Sequence, residues 1–236
     1  MLKKIWKLVV IFIFGMAGGI FADQIFWPYF VERPLFYKYR LDKTPIYIAE
    51  KREIIIRENV ALKEAIGRVN KAVVGVKTEM RSGKVLEGSG LIVTSDGLMV
   101  TLNELLPVGS KFNFFVESKA LPFQVLRRDS QNNLVLVKLQ GTNFSTVGFG
   151  DFEKLQIGER VFLLTKAPSL EEGLVNEGII KTFNGNYILT NIFEEGRALG
   201  SPLFDIEGKL LGLNTVNKKG QVIAIPLPKI RSFLGF

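Results

Sequence analysis

The 236-residue sequence contains neither cysteine nor histidine. Without cysteine there is no disulfide, no thiolate nucleophile, no cysteine-ligated zinc and no cysteine-held iron–sulfur cluster. Without histidine there is no Ser-His-Asp or Cys-His mechanism, no H-E-x-x-H metalloprotease and no haem held by His. Chemistry, if any, must run on carboxylates, Lys, Tyr, Ser or Thr. No Asp/Glu spacing matches a metal-binding loop such as the EF-hand, so no metal and no cofactor is expected. Repeats of fixed period and low-complexity tracts are also missing. What remains is a globular balance of 47% hydrophobic and 23% charged residues, enough to bury a core.

The net charge is +8, and it is unevenly spread. Residues 1–68 hold 12 basic and 7 acidic groups, and residues 69–236 hold 19 and 16. The excess sits toward the N-terminus, where a membrane accounts for it better than nucleic acid does. No basic and aromatic interleaving marks a nucleic-acid platform in the rest, so no nucleic-acid partner is expected. Lys3, Lys4 and Lys7 precede an uncharged apolar run from Leu8 to Ala22. Fifteen helical residues reach about 22 Å, short of a ~30 Å hydrocarbon core, and Ile5 and Trp6 extend the run if Lys7 snorkels. Phe26, Trp27, Tyr29 and Phe30 follow as an interfacial aromatic belt. Residues 1–30 therefore read as a single-pass anchor, with the N-terminus cytoplasmic and the body outside. A cleaved signal peptide, with small residues at Ala17, Gly18 and Gly19, is the competing reading and exports the body equally.

Residues 31–58 read as a juxtamembrane spacer with Pro34 and Pro45 and a weak strand pattern at Ile46 and Ile48. Leu62, Ala65, Ile66 and Val69 then lie on one face of a short helix, with Asn59 as its N-cap. From Ala72 the pattern is strand and turn. Strands are predicted at 73–76, 91–93, 98–101, 112–117, 122–127, 134–139, 160–165, 175–182, 186–190, 202–204, 209–214 and 221–225, with a last helical turn over Pro228–Phe233. Many short strands with regular turns mean a barrel or sandwich. Glu171 with Glu172, and Glu194 with Glu195, read as solvated loop charges; Arg127 and Arg128 read as a solvated strand end, and Lys218 and Lys219 as a hairpin tip. Phe112, Phe114 and Phe115 read mostly as core.

The order of motifs over residues 59–236 resembles the protease domain of the HtrA/DegP-like branch of trypsin-type serine proteases. The resemblance rests on Ala72–Val74; Gly88, Ser89 and Gly90; Gly97 and Thr101; Asn133–Leu139; Gly150, Asp151, Leu155, Gly158 and Val161; Gly200, Pro202 and Leu203; Gly208, Gly212, Leu213 and Asn214; and Ala224, Ile225 and Pro226. It implies an all-β, trypsin/chymotrypsin-like double six-stranded β-barrel, the first barrel over about 69–140 and the second over about 141–236. Carried over position by position, the catalytic His is Glu104, the Asp is Asn133 and the Ser is Leu199. The oxyanion-hole positions are Arg197, where the family has Gly, and Leu199. Ala198, Gly200 and Ser201 are the candidate cleft-lining residues beside them. Leucine has no nucleophile and Asn cannot stabilise a charged base. The PDZ domain usual in the family has no counterpart before the last residue, Phe236.

The implied function is a membrane-anchored, inactive pseudoprotease whose cleft holds a peptide or protein partner as an added strand. That reading calls for an apolar groove at Leu199 with Arg197 on its rim. The family's trimers leave homo- or hetero-oligomers open. Two alternatives stand beside it: an active serine-type endopeptidase using Ser201 with a non-standard base, and a purely structural membrane-surface domain.

Overall fold

A computed structural model describes residues 2–32, 58–170 and 173–235. The chain divides into two units, Met1–Ile55 and Ile56–Phe236. The spacer strand expected at Ile46 and Ile48 and the Glu171–Glu172 pair lie outside the described residues.

In the first unit, helix α1 (Leu2–Phe21) continues with wider, π-type winding over Ala22–Glu32. The helix carries the lysines and the apolar run together as one 25-residue stretch, Lys3–Trp27, whose most apolar 18 residues have a mean hydropathy of 2.1 and are not buried. At about 1.5 Å per residue it exceeds a ~30 Å hydrocarbon core. By length and composition, this helix suffices to cross a bilayer.

The second unit opens with helix α2 (Glu58–Val69). Ala65 and Val69 are buried, and Leu62 and Ile66 pack on the core, as the spacing predicts. Asn59 falls inside the helix rather than ahead of it, so it is not the N-cap. Arg68 Nη2 donates to the Glu207 carbonyl at 3.0 Å and fixes the helix's last turn on a loop 139 residues away.

The strands follow the predicted order. The first seven are β1 (Val73–Glu79), β2 (Val85–Ile92), β3 (Leu98–Leu102), β4 (Lys111–Val116), β5 (Lys119–Leu121), β6 (Phe123–Asp129) and β7 (Leu134–Leu139). The last six are β8 (Arg160–Thr165), β9 (Leu174–Phe183), β10 (Ile188–Phe193), β11 (Pro202–Asp205), β12 (Leu210–Val216) and β13 (Gln221–Pro226), before helix α3 (Leu227–Leu234).

The expectation of two six-stranded barrels needs correction. The later six strands close a barrel in the order β10-β13-β12-β11-β8-β9, but the earlier seven form an open sheet, β5-β4-β1-β2-β3-β7-β6. Its two edges, β5 and β6, are consecutive in the chain with only Pro122 between them. The curled sheet is therefore joined at its ends by covalent chain and not by a ladder. A three-residue strand followed by a proline, which has no N–H, offers little to pair with. The unpredicted β5 is what raises the strand count.

One apolar cluster runs through both sheets. It joins Phe114 and Leu91 of the open sheet to Phe162, Phe204 and Leu210 of the barrel. Phe114 meets Phe123 edge-on at 4.7 Å, and Phe162 lies 5.3 Å from Phe204.

Candidate functional site

Short turns bring the positions assigned by resemblance to the seam between the sheet and the barrel. Glu104 lies in the 3₁₀ turn Asn103–Leu105 that follows β3. Asn133 sits just before β7 with φ 57°, a conformation that Asn tolerates better than most residues. The two are paired twice. The Asn133 amide Nδ2 donates to Glu104 Oε1 at 2.8 Å, and the Glu104 N–H donates to Asn133 Oδ1 at 2.9 Å. From the barrel, Thr215 Oγ1 donates to the same Glu104 oxygen at 3.2 Å. Glu104 thus accepts hydrogen bonds from both layers of the fold while remaining exposed.

The other positions lie on the turn Gly196–Ala198 and the residues after it. Leu199 is half-buried against the core, with Arg197 exposed beside it. The Leu199 carbonyl accepts from the Ser89 N–H at 2.9 Å. The Leu199 N–H donates to the Gly196 carbonyl at 3.1 Å and is taken up inside its own turn. Ala198 and Ser201 are buried. The Ser201 hydroxyl donates to the Ala198 carbonyl at 2.7 Å and accepts from Asn214 Nδ2 at 3.0 Å. Since the one hydroxyl proton goes to Ala198, the Asn214 side chain must present its NH₂ end. That leaves Asn214 Oδ1 buried with no partner among the described residues.

Residues outside the assigned positions hold the seam together. The Lys166 N–H donates to Ser89 Oγ at 2.8 Å, Ser89 Oγ meets Thr165 Oγ1 at 2.8 Å, and Thr165 Oγ1 donates to the Arg197 carbonyl at 2.7 Å. Since Thr165 gives its proton to Arg197, Ser89 is the donor in the middle bond. Thr101 Oγ1 adds a bond to the Ser89 carbonyl at 2.7 Å. Sequence spacing does not show this relay, because its members are 76 residues apart and meet only when the two sheets pack. Ser89→Ala removes a buried group bonded on both sides. It should cost about 1–3 kcal/mol, read as a lower denaturation midpoint with unchanged secondary structure.

A model of the trypsin-like peptidase domain matches residues 88–213, more than half of the chain. The chain belongs to the trypsin-like peptidase family. This trypsin-like domain is similar to a probable periplasmic serine endoprotease, DegP-like, of Pseudomonas putida, at 30% identity over 54% of the chain and 28% of that protein. It resembles the DegP-like protein of Rhizobium meliloti at 28% identity over 60% of the chain and 30% of that protein. The chain thus spans less than a third of the length of these relatives. Among solved structures, the HtrA-type protease AlgW with a tripeptide matches with TM-score 0.67 and 20% identity, over 74% of this chain and 62% of that one. That likeness speaks for the fold.

Of the other charged groups in the trypsin-like domain, Glu194 does not pair with Glu195. Its Oε1 accepts from Asn176 Nδ2 at 2.6 Å, so it ties β9 to the end of β10. Lys218 and Lys219 do sit at a hairpin tip, where the Gly220 N–H donates to the Asn217 carbonyl at 2.9 Å. Arg127 and Arg128 differ from each other. Arg127 is exposed, whereas the Arg128 Nη1 donates inward to Asn103 Oδ1 at 2.9 Å and to the Leu106 carbonyl at 2.6 Å. Arg128 therefore clamps the turn that carries Glu104, a role its position beside Arg127 in the sequence does not reveal.

Proposed function

We propose that this protein is a membrane-anchored, catalytically inactive member of the trypsin-like family that holds a peptide or protein segment at the seam of its two sheets. The observation that carries the reading is the state of the turn at 196–201. A nucleophile must be accessible and must have a base within hydrogen-bond reach. Leu199 offers no nucleophile, and Ser201 is buried with its proton committed to a backbone carbonyl. Glu104, at the position of the base, is engaged by Asn133 and Thr215. The Leu199 N–H, which would stabilise an oxyanion, is spent inside its own turn.

Peptide binding is supported by an open strand end. β11 pairs with β12 no further than Leu213, yet β12 runs on to Val216. Asn214 turns its N–H and carbonyl toward Ser201 and Gly200. By the two-residue alternation of a strand, Val216 turns its own to the same side, beyond the end of β11. A peptide could add there as a strand, and the similar HtrA-type structure contains a tripeptide. The helix Lys3–Trp27 would be the anchor, with three lysines before its apolar run placing the N-terminus in the cytoplasm and the body outside.

The test is a casein-cleavage assay of the full-length protein in detergent from two independent preparations, with Ser201→Ala alongside. Both proteins should be indistinguishable from buffer. The variant should unfold about 1–3 kcal/mol more easily, because Asn214 loses its partner. Cleavage present in the parent and lost in the folded variant would instead establish Ser201 as a nucleophile.

A further inference from the structure

We infer that the groove between the β6–β7 turn and helix α3 binds an acidic polypeptide segment, at a site separate from the seam. The groove is open to solvent, has a volume of about 690 Å³, and is lined by Arg127, Arg128, Asp129, Lys229 and Phe233 among others.

Its charges are arranged for an outside anion. The register of β6 on β7 slips between Val125 and Arg127, so that Leu126 and Arg127 both face outward where strict alternation would turn one of them in. The Arg127 guanidinium lies 4.5 Å from the centroid of the buried Phe233 ring. An aromatic support holds the guanidinium while leaving its N–H edges available for a carboxylate fork. Lys71, Lys77, Lys138, Lys154, Arg160 and Lys209 each have a carboxylate partner. Among the described residues no such partner is recorded for Arg127 or Lys229.

Asp129, the carboxylate in the groove wall, feels the Arg127 charge but makes no ion pair with it, because its oxygens are taken up within its own turn. Its Oδ1 accepts from the Gln131 and Asn132 N–H groups at 3.0 Å each, and its Oδ2 accepts from Asn132 Nδ2 at 2.7 Å. These bonds, Asn132 foremost, hold its carboxyl below the usual carboxylate range. Arg128 is turned inward onto Asn103 and Leu106. The groove therefore presents Arg127 and Lys229 with no carboxylate in ion-pair contact among the described residues, beside the apolar surfaces of Phe233 and Pro228.

Shape selects the occupant. A bilayer surface is too flat to enter a concave groove, and a lone phosphate leaves the apolar wall uncovered. An extended segment with alternating acidic and apolar side chains can place carboxylates on Arg127 and Lys229 and apolar groups on Phe233 and Pro228 in one pose. Arg128 links the groove to the turn bearing Glu104, so a segment bound here touches the framework of the seam.

The experiment uses the full-length protein in detergent and a fluorescent decapeptide of alternating Glu and Leu, followed by anisotropy in low salt. Arg127→Gln and Lys229→Gln should each weaken binding about tenfold, the loss of one charge-assisted contact. Both side chains lie outside the core, so circular dichroism should be unchanged. A Gln/Leu decapeptide should not bind, and Lys181→Gln, an exposed lysine on β9, should bind the acidic peptide like the parent. Affinity indifferent to both groove substitutions would overturn the site. So would an equal loss in Lys181→Gln, which would mean unspecific charge attraction. Inorganic phosphate or phosphatidylglycerol vesicles binding through Arg127, with no effect of the peptide, would overturn the occupant.

Discussion

Gly200→Ala should destabilise the protein by about 2–5 kcal/mol, a large effect for a single methyl. Gly200 has φ 70°, and a Cβ there would lie 2.2 Å from the Ser89 carbonyl oxygen and 2.9 Å from Leu105 Cδ1. The left-handed conformation alone costs a residue with a Cβ about 1–2 kcal/mol, and forcing a methyl into a packed site costs roughly 1–3 more. The backbone oxygen cannot swing away, because it accepts the Thr101 hydroxyl at 2.7 Å. Gly83 is the control. It has φ 82° with nothing within 4 Å of the added Cβ. Gly83→Ala should show only the conformational part, about 1–2 kcal/mol. Denaturant melts of the two variants separate the contributions. Equal losses would mean that the turn at 196–201 is loose and that its hydrogen bonds do not hold the seam.

The second large effect is conditional. Leu199→Ser, Glu104→His and Asn133→Asp together should leave the protein at background against casein. Adding Arg197→Gly should raise turnover by about 10²-fold, the worth of one oxyanion donor. The side chains of a triad are not enough when the Leu199 N–H donates to the Gly196 carbonyl inside a 3₁₀ turn. Arg197 lies in that turn and is absent from the residues with positive φ. Glycine in its place opens backbone conformations that free the donor. Comparable cleavage by the triple and quadruple variants would show that the donor is not withheld, and the block would then lie in the side chains alone. Both variants need a melting curve, since Leu199→Ser removes packing against the core.

Much of this molecule was legible in the sequence because it is local. Absent Cys and His exclude whole chemistries without any fold. The period of Leu62, Ala65, Ile66 and Val69 gives helix α2, and alternating apolar runs with glycine turns give most strands to within a few residues. The ordered motifs assign Glu104, Asn133 and Leu199 to the former triad positions, but whether Glu104 and Asn133 bond to each other was not legible in the sequence. Three further things were decided only by packing. The seven-stranded open sheet depends on Pro122 and the short β5, too short to show a period. The Ser89–Thr165–Arg197 relay joins residues whose separation carries no signal. Which of the two neighbours Arg127 and Arg128 faces outward is set by a one-residue slip in β6, which reverses the alternation. Periodicity reports which face a side chain occupies within its own element, whereas hydrogen bonds between elements depend on how those faces meet, and that is set by the fold as a whole.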